Sequence, residues 1–223
     1  MTPHYSRLSL QPVSRRIRKR GLWLLLLATT LLAACAVQPQ PEADLSAQTA
    51  QVLRNSFVAR GIAGMDRLDQ DMVQQLCTEY GDKPIPPAVA EKIVASQLAT
   101  IRKPASGKLI GDWRAGEKLA QEGRGLQFSD MADGPRGGNC YACHQLGAQE
   151  ISYGNLGPSL AKYGALRGNS AAIVEYTYNK IYNAQAYTAC TNMPRFGHRQ
   201  ILTPEQITDL VALLLDPQSP VNK

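Results

Sequence analysis

The stretch that most narrows what this chain can become is Asn139-Cys140-Tyr141-Ala142-Cys143-His144. Two cysteines two residues apart, followed at once by histidine, form the spacing of a c-type haem attachment site. In that chemistry Cys140 and Cys143 make thioethers to one porphyrin, and His144 is placed to be the proximal iron ligand. A Cys-x-x-Cys pair also serves dithiol redox chemistry, which needs a βαβ surround, and structural zinc, which needs four ligands, usually as a second pair. Neither accompaniment is visible in the sequence. The expectation is one covalently bound haem c.

The segment ahead of this motif sets the compartment. Residues 1–20 carry Arg7, Arg15, Arg16, Arg18, Lys19 and Arg20 with no acid, and Leu22 to Ala34 is an apolar run of 13. That run is shorter than the about 20 residues a membrane span needs, so 1–34 reads as a secretory leader. It closes on Leu32-Ala33-Ala34-Cys35, which resembles a bacterial lipobox and would leave Cys35 as a lipidated N-terminus; the alternative is an ordinary signal peptide cut nearby. Ser14-Arg15-Arg16 hints at a twin-arginine signal, but the apolar pair expected after it is missing, and haem ligation outside the cytoplasm needs an unfolded chain, so Sec export fits better. The expected location is the periplasm, anchored to the membrane through lipid.

Charge then excludes a partner class. Of 24 Lys and Arg, six lie in the leader, and the remaining 18 face 18 acids. A near-neutral mature chain gives no case for nucleic acid. Five cysteines divide into one for lipid, two for haem, and Cys77 with Cys190 left over. In an oxidising compartment an even remainder suggests a disulfide, which over a loop of more than a hundred residues contributes up to roughly 4 kcal/mol. Two separate buried thiols, or a reactive thiol at the haem edge, remain the alternatives.

Residues 35–49 have the composition of a tether. Residues 50–104 read as a short helical N-terminal extension: Leu68, Met72, Leu76 and Tyr80 recur every four residues, and Val94, Leu98 and Ile101 repeat the pattern until Lys103-Pro104. Residues 105–217 read as the haem domain, with 218–223 as a tail. In it Asp112 caps a helix from Trp113 to Ala120 ended by Gly123 at C′, Asn169 or Ser170 caps one containing Ile173, Thr177 and Ile181, and Thr203-Pro204-Glu205-Gln206 opens one whose core face is Ile207, Leu210, Val211 and Leu214. No strand pattern competes. The expected fold is all-α, a class I cytochrome c-like domain behind its helical extension.

The second iron ligand decides the chemistry. Met193, in Asn192-Met193-Pro194-Arg195-Phe196-Gly197, sits between two predicted helices, where small class I cytochromes carry their distal methionine. His198 is the runner-up, and core filling is the bland reading of any lone methionine. With His144 and Met193 both bound the iron has no vacancy for oxygen or peroxide, and electron transfer follows. A five-coordinate haem that binds gas or peroxide would require Met193 not to ligate. Pro158, in Leu156-Gly157-Pro158-Ser159-Leu160, resembles the turn whose carbonyl accepts the proximal histidine's ring N–H.

Taken together, Gly111-Asp112-Trp113-Arg114-Ala115-Gly116-Glu117-Lys118-Leu119-Ala120, Gly123-Arg124-Gly125, Gly138 to His144, Met193 to Gly197, Ile201-Leu202-Thr203 and Asp216-Pro217 resemble SoxX, the monohaem subunit of the SoxAX cytochrome complex of sulfur-oxidising bacteria. The likeness runs from about residue 66 to 217; the lipobox at Cys35 departs from the commonest soluble form. It implies a SoxA-like partner in a heterodimer, transient encounter with the carrier SoxYZ, and a downstream cytochrome or oxidase. It also implies the electron-transfer part of an L-cysteine S-thiosulfotransferase, in which thiosulfate is joined oxidatively to a SoxYZ cysteine. The thiosulfate-binding cysteine belongs to SoxA in that family, so no catalytic residue is expected on this chain. The alternative is a stand-alone lipid-anchored carrier cytochrome feeding an oxidase.

Overall fold

The computed structural model describes residues 45–223 apart from position 82. The expected leader, the lipidation candidate Cys35 and most of the tether lie outside the described residues. The chain divides into two compact units, Met1–Gln51 and Val52–Lys223. The described part of the first only opens helix α1 (Ser46–Ser56), which has no buried residue.

In the second unit Asp71 starts α2 (Met72–Tyr80) with a capping box: its carboxylate accepts from the Gln74 N–H at 2.9 Å, and the Gln74 side chain accepts from the Asp71 N–H at 3.0 Å. This cap explains why the helix does not begin at Leu68, as the four-residue spacing suggested; Leu68 belongs to a separate 3₁₀ turn, Met65–Leu68. Proline opens α3 (Pro87–Leu98) at its first turn, where a missing N–H costs nothing. The face buried on α3 is also not the expected one. Ile93 and Gln97 go inside while Leu98 stays 47% exposed, because Gln97 finds hydrogen-bond partners in the haem domain.

Asp112 caps α4 (Trp113–Gln121), accepting from the Arg114 N–H at 2.9 Å. Gly123 does not end it in a left-handed turn. The chain leaves extended through Glu122, and two late carbonyls are satisfied from the next loop, Leu119 by the Gly138 N–H at 2.8 Å and Glu122 by the Asn139 N–H at 3.0 Å. That answers the open-carbonyl problem of a helix C-terminus and straps the Cys140 loop to α4. After α5 (Tyr163–Arg167), Ser170 caps α6 (Ala171–Tyr182), and the Thr203 capping box opens α7 (Pro204–Leu215). The buried face of α6 centres on Val174, Tyr178, Ile181 and Tyr182.

Among the described residues there is no strand, only one isolated antiparallel bridge between Arg60 and Ala63, and no helix is long and apolar enough to cross a membrane. The core forms where α4 crosses α7 and α6 packs beside them. A Cβ on Gly116 would lie 2.1 Å from the Asp209 carbonyl oxygen, so glycine lets the two backbones touch. The Asp209 carboxylate then accepts from the Asp112 N–H at 2.8 Å, tying the start of α4 to α7.

Candidate haem-binding site

The Cys140 loop is built from contacts close in sequence. Asn139 adopts a left-handed conformation and sets up the turn Cys140–Ala142; the Cys143 and His144 N–H groups both donate to the Cys140 carbonyl, at 3.1 and 2.9 Å. The segment that follows folds back over it through Gly154 N–H to Tyr141, Gly157 N–H to Cys143 (both 2.8 Å) and Leu160 N–H to Gln145 (2.7 Å). Within this strap His144 Nδ1 lies 2.7 Å from the Pro158 carbonyl oxygen. A carbonyl only accepts, so Nδ1 carries the proton and Nε2 keeps its lone pair for a metal. A Cβ on Gly157 would lie 2.1 Å from His144 Cε1; the bare glycine is what lets the ring lie flat against the strap.

Cys140 and Cys143 are both free and half-buried. Burial pushes the Cys140 thiol up to about 12, the reverse of the lowered value that marks a reactive dithiol. Cys140, Tyr141, Leu160 and Met193 all pack at the edge of the same core cluster. Two thiols, an oriented imidazole and a thioether against an apolar wall fit a covalent haem. Residues 140, 143, 144 and 193 are the ones that would hold it.

The loop bearing Met193 is held differently. Cys190, three residues before it, is joined to Cys77 of α2 by a disulfide with Cα atoms 5.5 Å apart. Arg195, two residues after it, is 7% exposed and donates to Asp71 Oδ2 at 2.6 Å and Gln97 Oε1 at 3.1 Å. Arg199 donates to Asp71 Oδ2 at 2.8 Å and Gln74 Oε1 at 2.7 Å. Burial alone would raise the Asp71 carboxyl, but the Gln74 N–H and the two arginines hold it below its usual value. His198 lies beyond Gly197 in an open cleft of about 790 Å³ with Tyr182 and Leu202, whereas Met193 borders a different cleft of about 550 Å³ beside the disulfide. Burial, with Arg195 and Arg199 nearby, pushes the His198 imidazole down.

Sequence reasoning missed Asp71, Gln97 and Arg195. Only Asp71 left a readable signal, the Asp-Met-Val-Gln capping pattern of residues 71–74.

Residues 113–216 match the family model for cytochrome c, and the architecture is all-α and class I cytochrome c-like. Such a domain implies covalently bound haem c. A protein of Aquifex aeolicus (strain VF5), named an uncharacterized lipoprotein, is 43% identical over 135 residues, which is 59% of this chain. The chain spans 63% of that relative's length.

Proposed function

We propose that this chain is a SoxX-like monohaem cytochrome that carries electrons while thiosulfate is joined to a cysteine of a SoxYZ-type carrier, in complex with a SoxA-like subunit. The observation that carries the electron-transfer part is the His144 ring held with Nε2 free, paired with a methionine loop held in place. When bound, the haem supplies a one-electron Fe(III)/Fe(II) couple. Cys140 and Cys143 would attach the group covalently, His144, oriented by the Pro158 carbonyl, and Met193 would ligate its iron, and that ligand pair suits electron transfer.

The sulfur-oxidation part rests on the stretches from Gly111 to Ala120 and Met193 to Gly197. The chemistry is compatible with it, since forming a sulfur–sulfur bond between a cysteine thiolate and thiosulfate releases two electrons. One haem stores one of them, and with Cys77 and Cys190 paired this chain offers no thiol to take the sulfur. A partner must carry that step, and this chain passes electrons to a cytochrome or an oxidase. The lipoprotein name of the Aquifex aeolicus relative supports membrane attachment through Cys35 in the periplasm, with a single haem per chain.

The test is purification from the native host with haem staining. A covalent haem band co-purifying with a SoxA-like cytochrome and thiosulfate-dependent haem reduction are expected; a haem-bearing chain that comes alone and is reduced only by a quinol or cytochrome donor would favour the stand-alone lipid-anchored carrier.

A further inference from the structure

The Met193 loop departs from the helical core in one respect: both of its ends are fastened to the segment that precedes the haem domain. At one end is the Cys77–Cys190 disulfide. At the other, Arg195 is buried against Asp71 and Gln97, with Arg199 on the same Asp71 oxygen. Gln97 is itself fixed, since its Oε1 also accepts from Asn183 Nδ2 at 3.0 Å, and Asn183 is fully buried. Cys190 has φ 56°, a left-handed backbone that a non-glycine residue rarely adopts, and its N–H donates to Gln185 Oε1 at 2.7 Å. A conformation of that kind persists where its surroundings over-determine it. Met193 thus lies between two anchors, at 190 and 195, and both partners are residues of α2, its cap or α3.

We propose that this preceding helical segment is a clamp on the distal ligand, with Asp71, Gln97 and the Cys77–Cys190 bridge acting as positioning groups that keep Met193 on the iron. Asp71 acts through Arg195, and the disulfide acts through the backbone of 190–193. The consequence is functional as well as structural. With the clamp intact the site stays closed and serves electron transfer, and with it open the methionine leaves and the iron accepts a small ligand. The inference rests on the reading of Met193 as the distal ligand, and the experiment separates the two.

Full-length holoprotein is compared with Asp71→Asn, which keeps a capping side chain but removes the charge facing Arg195 and Arg199. A control is Lys103→Gln, which removes the exposed ion pair between Lys103 and Glu175 elsewhere on the same segment. In parallel, the folded wild-type protein is treated with a phosphine, which supplies the two electrons that convert the disulfide to two thiols. The thiols are alkylated and the iron is re-oxidised with ferricyanide. Three readouts are taken: the near-infrared charge-transfer band of Met–Fe(III), carbon monoxide association with the ferrous form, and the helical circular dichroism melt.

The clamp predicts that Asp71→Asn and the opened disulfide each lose the near-infrared band at a lower temperature than the helices melt. Each should also raise carbon monoxide association about tenfold or more, the factor that about 1.4 kcal/mol of lost restraint delivers. Lys103→Gln should change neither. The clamp is overturned if the band and the helical melt move together in every form, if Lys103→Gln acts like Asp71→Asn, or if Asp71→Asn and the opened disulfide match the untreated protein. Should Asp71→Asn fail to fold, the phosphine arm decides on the same criteria. An untreated protein without the band would instead defeat Met193 as ligand, and the clamp with it.

Discussion

The two halves of the candidate haem site are held by opposite means. On the His144 side the backbone bonds that shape the Cys140 turn and its strap, and the His144 contact to Pro158, lie between residues no more than 20 apart, from Leu119 to Leu160. On the Met193 side the decisive partners are Asp71, Cys77 and Gln97, separated from their contacts by 124, 113 and 98 residues. Local contacts form wherever the chain can turn; the distant ones exist only after the helical core has assembled. The proximal half is therefore a property of one stretch of chain, and the distal half is a property of the fold. The same contrast assigns different fragilities, with the proximal half sensitive to local sterics and the distal half to the integrity of the preceding helices.

The largest test of the contrast is removal of both thiols. Cys140→Ala with Cys143→Ala should abolish covalent haem, read as complete loss of haem staining on a denaturing gel, while the Cys77–Cys190 bridge, mapped by non-reducing mass, should still form if the chain folds. Next, Met193→Ala should leave the staining intact, remove the near-infrared band and lower the midpoint potential; a retained band would assign the ligand to another side chain, with His198 first in line.

A matched pair of glycines then compares the halves directly. Gly157→Ala places a methyl 2.1 Å from the His144 ring, and Gly197→Ala places one 2.2 Å from the Tyr182 ring. Each should cost about 1–3 kcal/mol by overpacking, measured by denaturant unfolding, but only Gly157→Ala should also perturb the proximal ligand's spectrum in the ferrous protein. Equal spectral change in both would erase the distinction.

The smallest effect concerns pH. The Asp71 carboxyl is held below its ordinary value in the folded state, so the stability it contributes is fully present above the unfolded value of about 3.9 and is lost as pH falls through the depressed folded value. Acid should therefore weaken the distal band as Asp71 becomes protonated. The comparison is between acid titrations of the wild type and Asp71→Asn, and a difference that persists unchanged at the lowest pH would contradict it.

Several features were legible because their causes are local. The haem motif, the Pro158 turn, the caps at Asp112, Ser170 and Thr203, and the apolar face of α7 each depend on residues within one or two turns of each other. Where sequence reasoning slipped, a non-local or competing cause was responsible. The α2 start moved because Asp71 won the cap, and the α3 face rotated toward Gln97 because its partners, Asn183 and Arg195, lie in another part of the chain. Almost every residue of α7 from Ile207 onward is buried, not just the expected stripe, because α4, α5 and α6 surround it.

By itself the sequence determined the candidate groups for the chemistry: Cys140, Cys143 and His144 by their spacing, Met193 by its Met-Pro loop, and Cys77 and Cys190 as the unassigned pair. Spacing along a chain is enough for that, since the haem motif and its strap close over short distances at small entropic cost. Only the tertiary structure decided that Asp71, Gln97 and Cys77 meet the two flanks of Met193, because a part-buried ion pair and a bridge across 113 residues form only when the packed core has brought their helices together.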